Sequence, residues 1–349
     1  MKIDYFDFNK NKIFVVAELS ANHGADINIA LQTIKAAKRA GADAIKLQTF
    51  TPDSITLDSS GSDFLIKNSL WQNRTLYDLY SEACTPYDWH EELFKAAKDE
   101  GLICFSSPFD KAAVDLLEDL NTPAYKVASM EISDLTLIEY IASKQKPIII
   151  STGVATKEEI SRAIKACHDN DNYEIILLQC TSSYPAPFEE ANLIMINEFA
   201  NEFNVLTGLS DHTLGSLAPV VATALGAKVI EKHFILNKDI GGPDASFSMD
   251  EAEFSQMVGD IRKAELLIGK VDYALTKKQI ESRIYMRSLY VSEDIKKGEI
   301  ITEENIKSVR PGYGLDPQFY NDVLGKKVSK DVFKGDRLNL NFISNYESL

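Results

Sequence analysis

The chain is poor in cysteine, has no surplus of basic residues and carries no long apolar run; each shortage removes a class of function. Only four of its 349 residues are cysteines, and Cys84, Cys104, Cys167 and Cys180 form no C-x-x-C pair for zinc or redox work. Reduced thiols packed as small apolar residues in a cytoplasmic protein are therefore expected. Lys and Arg number 37 against 52 Asp and Glu, a net charge of −15. That balance excludes the basic surface on which nucleic-acid and anionic-membrane binders depend. The richest apolar stretch, Leu217 to Ile230, is broken by Gly226 and Lys228 and is too short to span a bilayer. The opening Met1-Lys2-Ile3-Asp4-Tyr5 lacks the apolar core of a signal peptide. G-x-x-x-x-G-K-[ST], G-x-S-x-G and H-E-x-x-H do not occur.

What is present is an alternation. Apolar runs at Ile13–Leu19, Ala42–Gln48, Leu102–Ser106, Ala124–Ser129, Pro147–Thr152, Glu174–Thr181, Val205–Ser210 and Lys228–Phe234 are rich in Ile, Val and Leu. Short runs of that kind suit strands buried on both faces of a parallel sheet. Amphipathic stretches such as Asn28–Ala40 separate them. Thr85-Pro86 reads as an N-cap with proline at the first helical position, Thr156 with Glu159 as a capping box. Gly41, Gly101 and Gly226 end helical stretches where a left-handed residue is wanted. Strand and helix alternating eight times predicts a (β/α)8 TIM barrel over residues 1–269, with an N-terminal extension at 1–12. A doubly wound sheet is the alternative, but no G-x-G-x-x-G follows the first strand. The long interval from Phe50 to Cys84 predicts a lid over the barrel mouth. A Lys-rich linker at 270–284 and a small β-rich domain at 285–349 follow. In that domain Asp294-Ile-Lys-Lys-Gly-Glu-Ile-Ile recurs as Asp331-Val-Phe-Lys-Gly-Asp-Arg-Leu, which predicts internal pseudo-symmetry.

Barrel enzymes act at the C-terminal ends of their strands, and every predicted strand here ends in polar groups. The first supplies Glu18, the second Lys46 and Gln48, the third Ser106 and Ser107. The fourth gives Lys126 and Ser129, the fifth Ser151, the sixth Thr181, Ser182 and, just beyond, Tyr184. Ser210, Asp211 and His212 end the seventh; Glu231 and His233 share a face of the eighth, from which Lys232 points to the helical layer. A lysine at a strand end can snorkel to solvent. Two lysines inside apolar strands point instead to ammonium groups aimed into the mouth, with the hydroxyls of Ser129, Ser151 and Ser210 completing an anion cradle. His212 and His233 fall at adjacent strand ends, where two imidazoles could hold a divalent ion. Structural or acid–base roles for both remain equal alternatives. His23 follows the first strand and is expected to line the mouth, while His90 and His168 read as packing or surface residues.

These residues resemble a known family. Ala17-Glu-Leu-Ser-Ala-Asn-His-Gly24, Lys46-Leu-Gln-Thr49, Phe105-Ser-Ser-Pro-Phe109, Ala124-Tyr-Lys-Val-Ala-Ser129, Ser151-Thr-Gly153, Gly208-Leu-Ser-Asp-His-Thr213, Glu231-Lys-His-Phe234 and Gly242-Pro-Asp244 resemble the sialic acid synthase family. The resemblance extends to a C-terminal antifreeze-like (SAF) domain with Arg310-Pro-Gly312. Within the family the second-strand loop, with Lys46 to Asp53, Leu70-Trp71, Arg74 and Leu76 to Tyr80, looks most like the pseudaminate branch. So does Cys180-Thr-Ser-Ser-Tyr-Pro185, which has Ser182 where the neuraminate branch typically has Asn.

The resemblance implies a transferase that condenses phosphoenolpyruvate with an open-chain amino sugar. For this branch the sugar is 2,4-diacetamido-2,4,6-trideoxy-L-altrose, with the legionaminate or neuraminate precursor as the alternative. It implies a divalent ion on His212 and His233, Mn²⁺ first and Mg²⁺ or Co²⁺ as alternatives. Lys46, Ser107, Lys126, Ser129, Ser151, Ser182 and Ser210 match phosphoenolpyruvate contacts. Gln48, Tyr184, Asp244 and Arg310 match positions facing the sugar, as do Glu18 and Glu231, either of which could be the general base. It also implies a domain-swapped homodimer in which Arg310 reaches the partner's barrel. A Schiff-base aldolase using Lys46 or Lys126 and a non-catalytic sugar-binding barrel are the competing readings. An anionic substrate on an acidic protein further predicts a locally positive mouth built by Lys46, Lys126, the metal and Arg310.

Overall fold

A computed structural model describes residues 1–10, 12–67 and 71–344; Leu70, named above in the loop, and residues 345–349 of the predicted C-terminal domain lie outside the described residues. Two compact units result, Met1–Gly269 and Lys270–Leu349.

The first unit is a closed parallel barrel. Its strands are β1 (Phe14–Glu18), β2 (Ala44–Thr49), β3 (Ile103–Pro108), β4 (Tyr125–Val127), β5 (Ile148–Ser151), β6 (Ile175–Cys180), β7 (Leu206–Asp211) and β8 (Val229–His233). Each pairs with the next in sequence, and β8 returns to β1 through Val229↔Phe14 and Glu231↔Val16. All eight predicted apolar runs became barrel strands, because their residues are buried on both faces. Helices α1 (Ile27–Arg39), α2 (His90–Asp99), α3 (Lys111–Asp119), α4 (Leu135–Ala142), α5 (Lys157–His168), α6 (Met195–Phe203), α7 (Leu217–Ala224) and α8 (Glu251–Ile268) follow the strands in turn. Side-chain oxygens of Asp26, Asp110, Asp134 and Asp250 accept from the first-turn amides of α1, α3, α4 and α8, each satisfying one otherwise unpaired donor. The Thr156–Glu159 capping box opens α5 as predicted.

Thr85-Pro86 behaves differently from its prediction. Pro86 is extended (ψ 137°), so no helical turn starts there; a 3-10 turn at Tyr87–Trp89 intervenes, and α2 begins at His90 without a side-chain cap. The true threonine cap of this region is Thr75, whose hydroxyl accepts from Asp78 N and opens the lid helix Leu76–Ala83. His90 is buried and structural. It bonds the Pro86 carbonyl at 3.0 Å and the Thr49 hydroxyl at 2.8 Å, pinning the lid's exit to the outer face of β2.

The floor of the barrel is sealed by the N-terminal extension. A hairpin pairing Lys2–Ile3 with Phe6–Asp7 buries Ile3, Phe6 and Phe8. Phe6 packs 4.6 Å from Phe14, which in turn stacks on Phe105 inside the barrel. This apolar plug fills the lower half, so polar side chains collect only in the upper layer.

In the second unit, the predicted linker contains a helix at Lys277–Ser282, opened by a Thr276–Gln279 capping box. Strands β9 (Ser288–Val291) and β10 (Ile306–Val309) pair antiparallel. The sequence repeat is physically expressed. Ile295 and Val332 exchange both backbone hydrogen bonds, Asp294 accepts from Lys334 N, and Asp331 accepts from Lys297 N. Equivalent residues of the two copies thus pair with each other around one local two-fold.

Removing the plug tests its role. Phe6→Ala should lower the unfolding free energy by about 3–5 kcal/mol, read from urea unfolding, since it opens a cavity among Phe8, Phe14 and the barrel floor.

Candidate active site

The alternation of strand side chains sends Glu18, Lys46, Gln48, Lys126, Ser151, Cys180, Ser210, Glu231 and His233 toward the barrel axis, and all of them line one cavity at the C-terminal mouth. Lys46 and Lys126 are each 3% exposed, so neither snorkels. Instead Lys46 Nζ lies 2.7 Å from Glu18 Oε2 and 3.7 Å from Glu231 Oε1, and Lys126 Nζ lies 3.8 Å from the same Glu231 oxygen. Burial by itself would lower the Lys46 ammonium, but Glu18 and Glu231 beside it hold it above its usual range. Lys126 is pushed down by burial despite the attraction of Glu231. Two cations against two carboxylates leave little net charge. The lysines alone therefore add little positive charge to the mouth.

The two carboxylates differ. Burial, reinforced by the nearby Glu231, pushes Glu18 up to about 7 even though Lys46 opposes the shift. For Glu231, burial is outweighed by Lys126 and Lys46, and its carboxyl is held below the usual range. Its Oε1 also accepts the Ser210 hydroxyl at 3.2 Å. Gln48 Nε2 donates to Glu18 Oε1 at 3.0 Å and to Ser20 at 2.9 Å, holding the Glu18 carboxyl in place.

Hydroxyls gather on the opposite wall. Ser129, Ser151 and Ser182 line the cavity, and the Ser151 and Ser182 oxygens are buried without a hydrogen-bond partner among the described residues. Gly153 makes room for them: its amide donates to Ser129 Oγ at 3.1 Å, and a Cβ there would fall on the Ser182 hydroxyl. Ser107 stands one layer back, accepting from Lys46 Nζ at 3.3 Å.

His212 and His233 converge, with ring centroids 5.3 Å apart. His212 Nδ1 lies 2.9 Å from the Thr181 carbonyl. A carbonyl only accepts, so Nδ1 carries a proton; burial by itself would lower the imidazole, but Cys180 beside it and the Thr181 carbonyl hold it above its usual range. His233 Nδ1 is buried without a hydrogen-bond partner, 3.6 Å from Asp244 Oδ2. Burial and the surrounding cations hold His233 unprotonated well below the usual range. His233, and His212 once its Nε2 gives up any proton, would offer two imidazole nitrogens of the kind that hold a divalent ion. No group of three or more His, Cys, Asp or Glu among the described residues is arranged for a metal.

A wider chamber of about 460 Å³ opens beside this cavity and shares Gln48, Tyr184 and His233 with it. Its walls are Phe50, Trp71, Tyr80 and Phe109, with Asp244 and Glu131 as the acidic groups. The interval predicted as a lid thus supplies the aromatic wall, and Trp71 Nε1 ties it to the Pro243 carbonyl at 3.2 Å. Glu131 and Cys180 escaped the sequence reading. Glu131, pushed up to about 7 by burial, sits in a 3-10 turn two residues past Ser129. Cys180 was read only as a thiol, although its place at the end of β6 was the available signal. His23 does not line the mouth; it is fully buried edge-on against Trp89. Arg310 directly follows β10 in the second unit.

A parallel barrel with paired ammonium and carboxylate groups, buried hydroxyls and two imidazoles at its mouth defines a synthase-type barrel enzyme handling an anion. The chain belongs to the NeuB family, which matches residues 33–273, and it carries a SAF domain over residues 286–340. It is 51% identical over 338 residues to a pseudaminic acid synthase of Campylobacter jejuni, covering 97% of this chain and 98% of that protein. It is 50% identical to a pseudaminic acid synthase of Helicobacter pylori, covering 90% and 93%. Its fold is similar to that of an N-acetylneuraminic acid synthetase from Leptospira borgpetersenii solved with citrate, with TM-score 0.70, 27% identity and coverage of 78% and 90%.

Gly153→Ala should leave the barrel folded, displace Ser182 and weaken phosphoenolpyruvate binding about 10–100-fold, measured by titration calorimetry alongside circular dichroism.

Proposed function

We propose that this chain condenses phosphoenolpyruvate with 2,4-diacetamido-2,4,6-trideoxy-β-L-altropyranose and water, giving pseudaminic acid and phosphate. The observation that carries the reading is the joined pair of chambers: an inner one of ammonium, hydroxyl and imidazole groups, an outer one of aromatic walls with acidic groups. The first suits a small phosphorylated acid; the second suits a deoxy sugar bearing acetyl and methyl groups beside its N–H and O–H donors. The relatives' 50–51% identity over most of the chain supports the choice of sugar.

In this reading Lys46, Lys126 and the hydroxyls of Ser129, Ser151, Ser182 and Ser210 hold the phosphate and carboxylate, with Ser107 supporting Lys46. Gln48, Tyr184 and Asp244 orient the open-chain sugar. A divalent ion held by His212 and His233, Mn²⁺ by preference, polarises the aldehyde oxygen when bound. Enol C3 forms the new carbon–carbon bond to the aldehyde carbon, whose oxygen takes up a proton. Water adds to the resulting cation at C2 and gives up a proton. The C2–O bond to phosphate then breaks as the new C2 hydroxyl passes its proton to the departing phosphate, leaving the ketone.

Glu18 is the base for the water. A pKa near neutrality matches that task, whereas Glu231, held ionised between two lysines, stabilises the positive charge that develops at C2. The chain works as a cytoplasmic homodimer in which Arg310 of the partner subunit completes the sugar site. One observation favours a second reading: the lowered Lys126 amine suits a Schiff-base nucleophile. Borohydride separates the two, since trapping of a covalent substrate adduct supports the aldolase and no adduct is expected here.

Phosphate release should require both substrates, stop on chelation with EDTA and return with Mn²⁺. Against a panel of the altrose-type sugar, its legionaminate-type counterpart and N-acetylmannosamine, the first should give the highest kcat/KM. A preference for N-acetylmannosamine overturns the assignment of the sugar.

Because the raised Glu18 is protonated below about pH 7, the base form accumulates as pH rises. The rate should fall roughly tenfold per pH unit on the acid side. Glu18→Gln should lose about 10²–10⁴ in kcat and abolish that limb; retention of the limb assigns it to another group.

A further inference from the structure

The residues just before the two histidines, Asp211 on β7 and Lys232 on β8, are direct register partners. Strand alternation turns them away from the barrel axis, so neither lines the inner cavity. Both are buried, at 3% and 1% exposure. Lys232 Nζ donates to Asp211 Oδ2 and to the Thr213 carbonyl, each at 2.5 Å. Asp211 Oδ1 accepts from Thr213 N at 2.9 Å, and Oδ2 accepts the Thr213 hydroxyl at 3.2 Å. These bonds form a closed ring with His212 at its centre: the residues on both sides of His212 are held by one ammonium group, and that ammonium belongs to the residue preceding His233.

Such a pair is a poor stabiliser. Desolvation of two buried charges consumes most of their attraction, and apolar residues of similar volume often do as well or better. What it does supply is a fixed distance between the ends of two strands. On the mouth side the corresponding link is a single hydrogen bond, from the Ser210 hydroxyl to Glu231 at 3.2 Å, two residues before each histidine. His212 is anchored there by Thr181, a β6 neighbour, and no hydrogen bond joins the His212 ring to the His233 ring.

We propose that Asp211 and Lys232 are positioning residues, whose ion pair sets the separation of the His212 and His233 rings and thereby the affinity for a divalent ion. The inference rests on reading those histidines as the metal ligands. Partners one layer behind metal ligands commonly change affinity 10–100-fold when removed.

The test is Mn²⁺ binding to the full chain, with free ion counted by electron paramagnetic resonance and folding followed by calorimetry. Asp211→Asn should weaken Mn²⁺ binding roughly 10–100-fold. Where that variant fails to fold, the double variant Asp211→Leu with Lys232→Met carries the test, because it leaves no unpaired buried charge. It should melt near the wild-type temperature and still lose at least tenfold in Mn²⁺ affinity, a split that a purely structural role does not produce. A folded double variant with less than a threefold loss overturns the proposal while leaving the metal reading intact, provided His212→Ala abolishes binding. A wild-type chain that takes up no Mn²⁺ overturns the metal reading and this proposal with it.

Discussion

The rule that a buried charge must be paired organises this protein. Four ionisable side chains, Glu18, Lys46, Lys126 and Glu231, meet within 4 Å contacts at the top of a barrel whose lower half is solid hydrocarbon. None could be there alone, since an isolated ammonium or carboxylate in such a place would lose its charge or move to solvent. Together they are nearly neutral and stay buried. Burial and their mutual field then separate two chemically identical carboxyls, raising Glu18 toward neutrality and holding Glu231 below the usual range.

The neutrality of that cluster alters how an acidic protein meets an acidic substrate. The four side chains attract an anion only weakly in sum; what they offer is donors already oriented and already desolvated, alongside hydroxyls that have no protein partner. Binding thus exchanges partners inside a preorganised site rather than drawing a ligand down a long-range gradient.

Strand parity divides the labour between two layers. Inward residues face substrate, while the outward residues between them fasten the strands. Thr49 is bonded to His90 and Ser106 behind Lys46 and Gln48, and Asp211 is bonded to Lys232 behind His212 and His233. The outward polar contacts are short and buried. The aromatic lid belongs to neither layer. It hangs on the barrel by His90 at one end and by the Trp71–Pro243 hydrogen bond at its middle.

By itself the sequence determined the barrel, the inward-facing set and the internal repeat of the second unit. Period-two burial and strand-end polarity are local properties, and a repeat of Asp-x-x-Lys-Gly spells out its own turn chemistry. Tertiary structure alone decided the rest. Which lysine pairs with which glutamate depends on distances across the barrel, and no spacing along the chain encodes those. The opposite shifts of Glu18 and Glu231 follow from burial and that three-dimensional field. Thr85-Pro86 looked like a helix start because its residues suit one, yet the extended proline and the burial of Trp89 against His23 moved the start to His90. His23 and Glu131 changed places as mouth residues for the same reason: burial belongs to the fold, not to a residue's distance from a strand end.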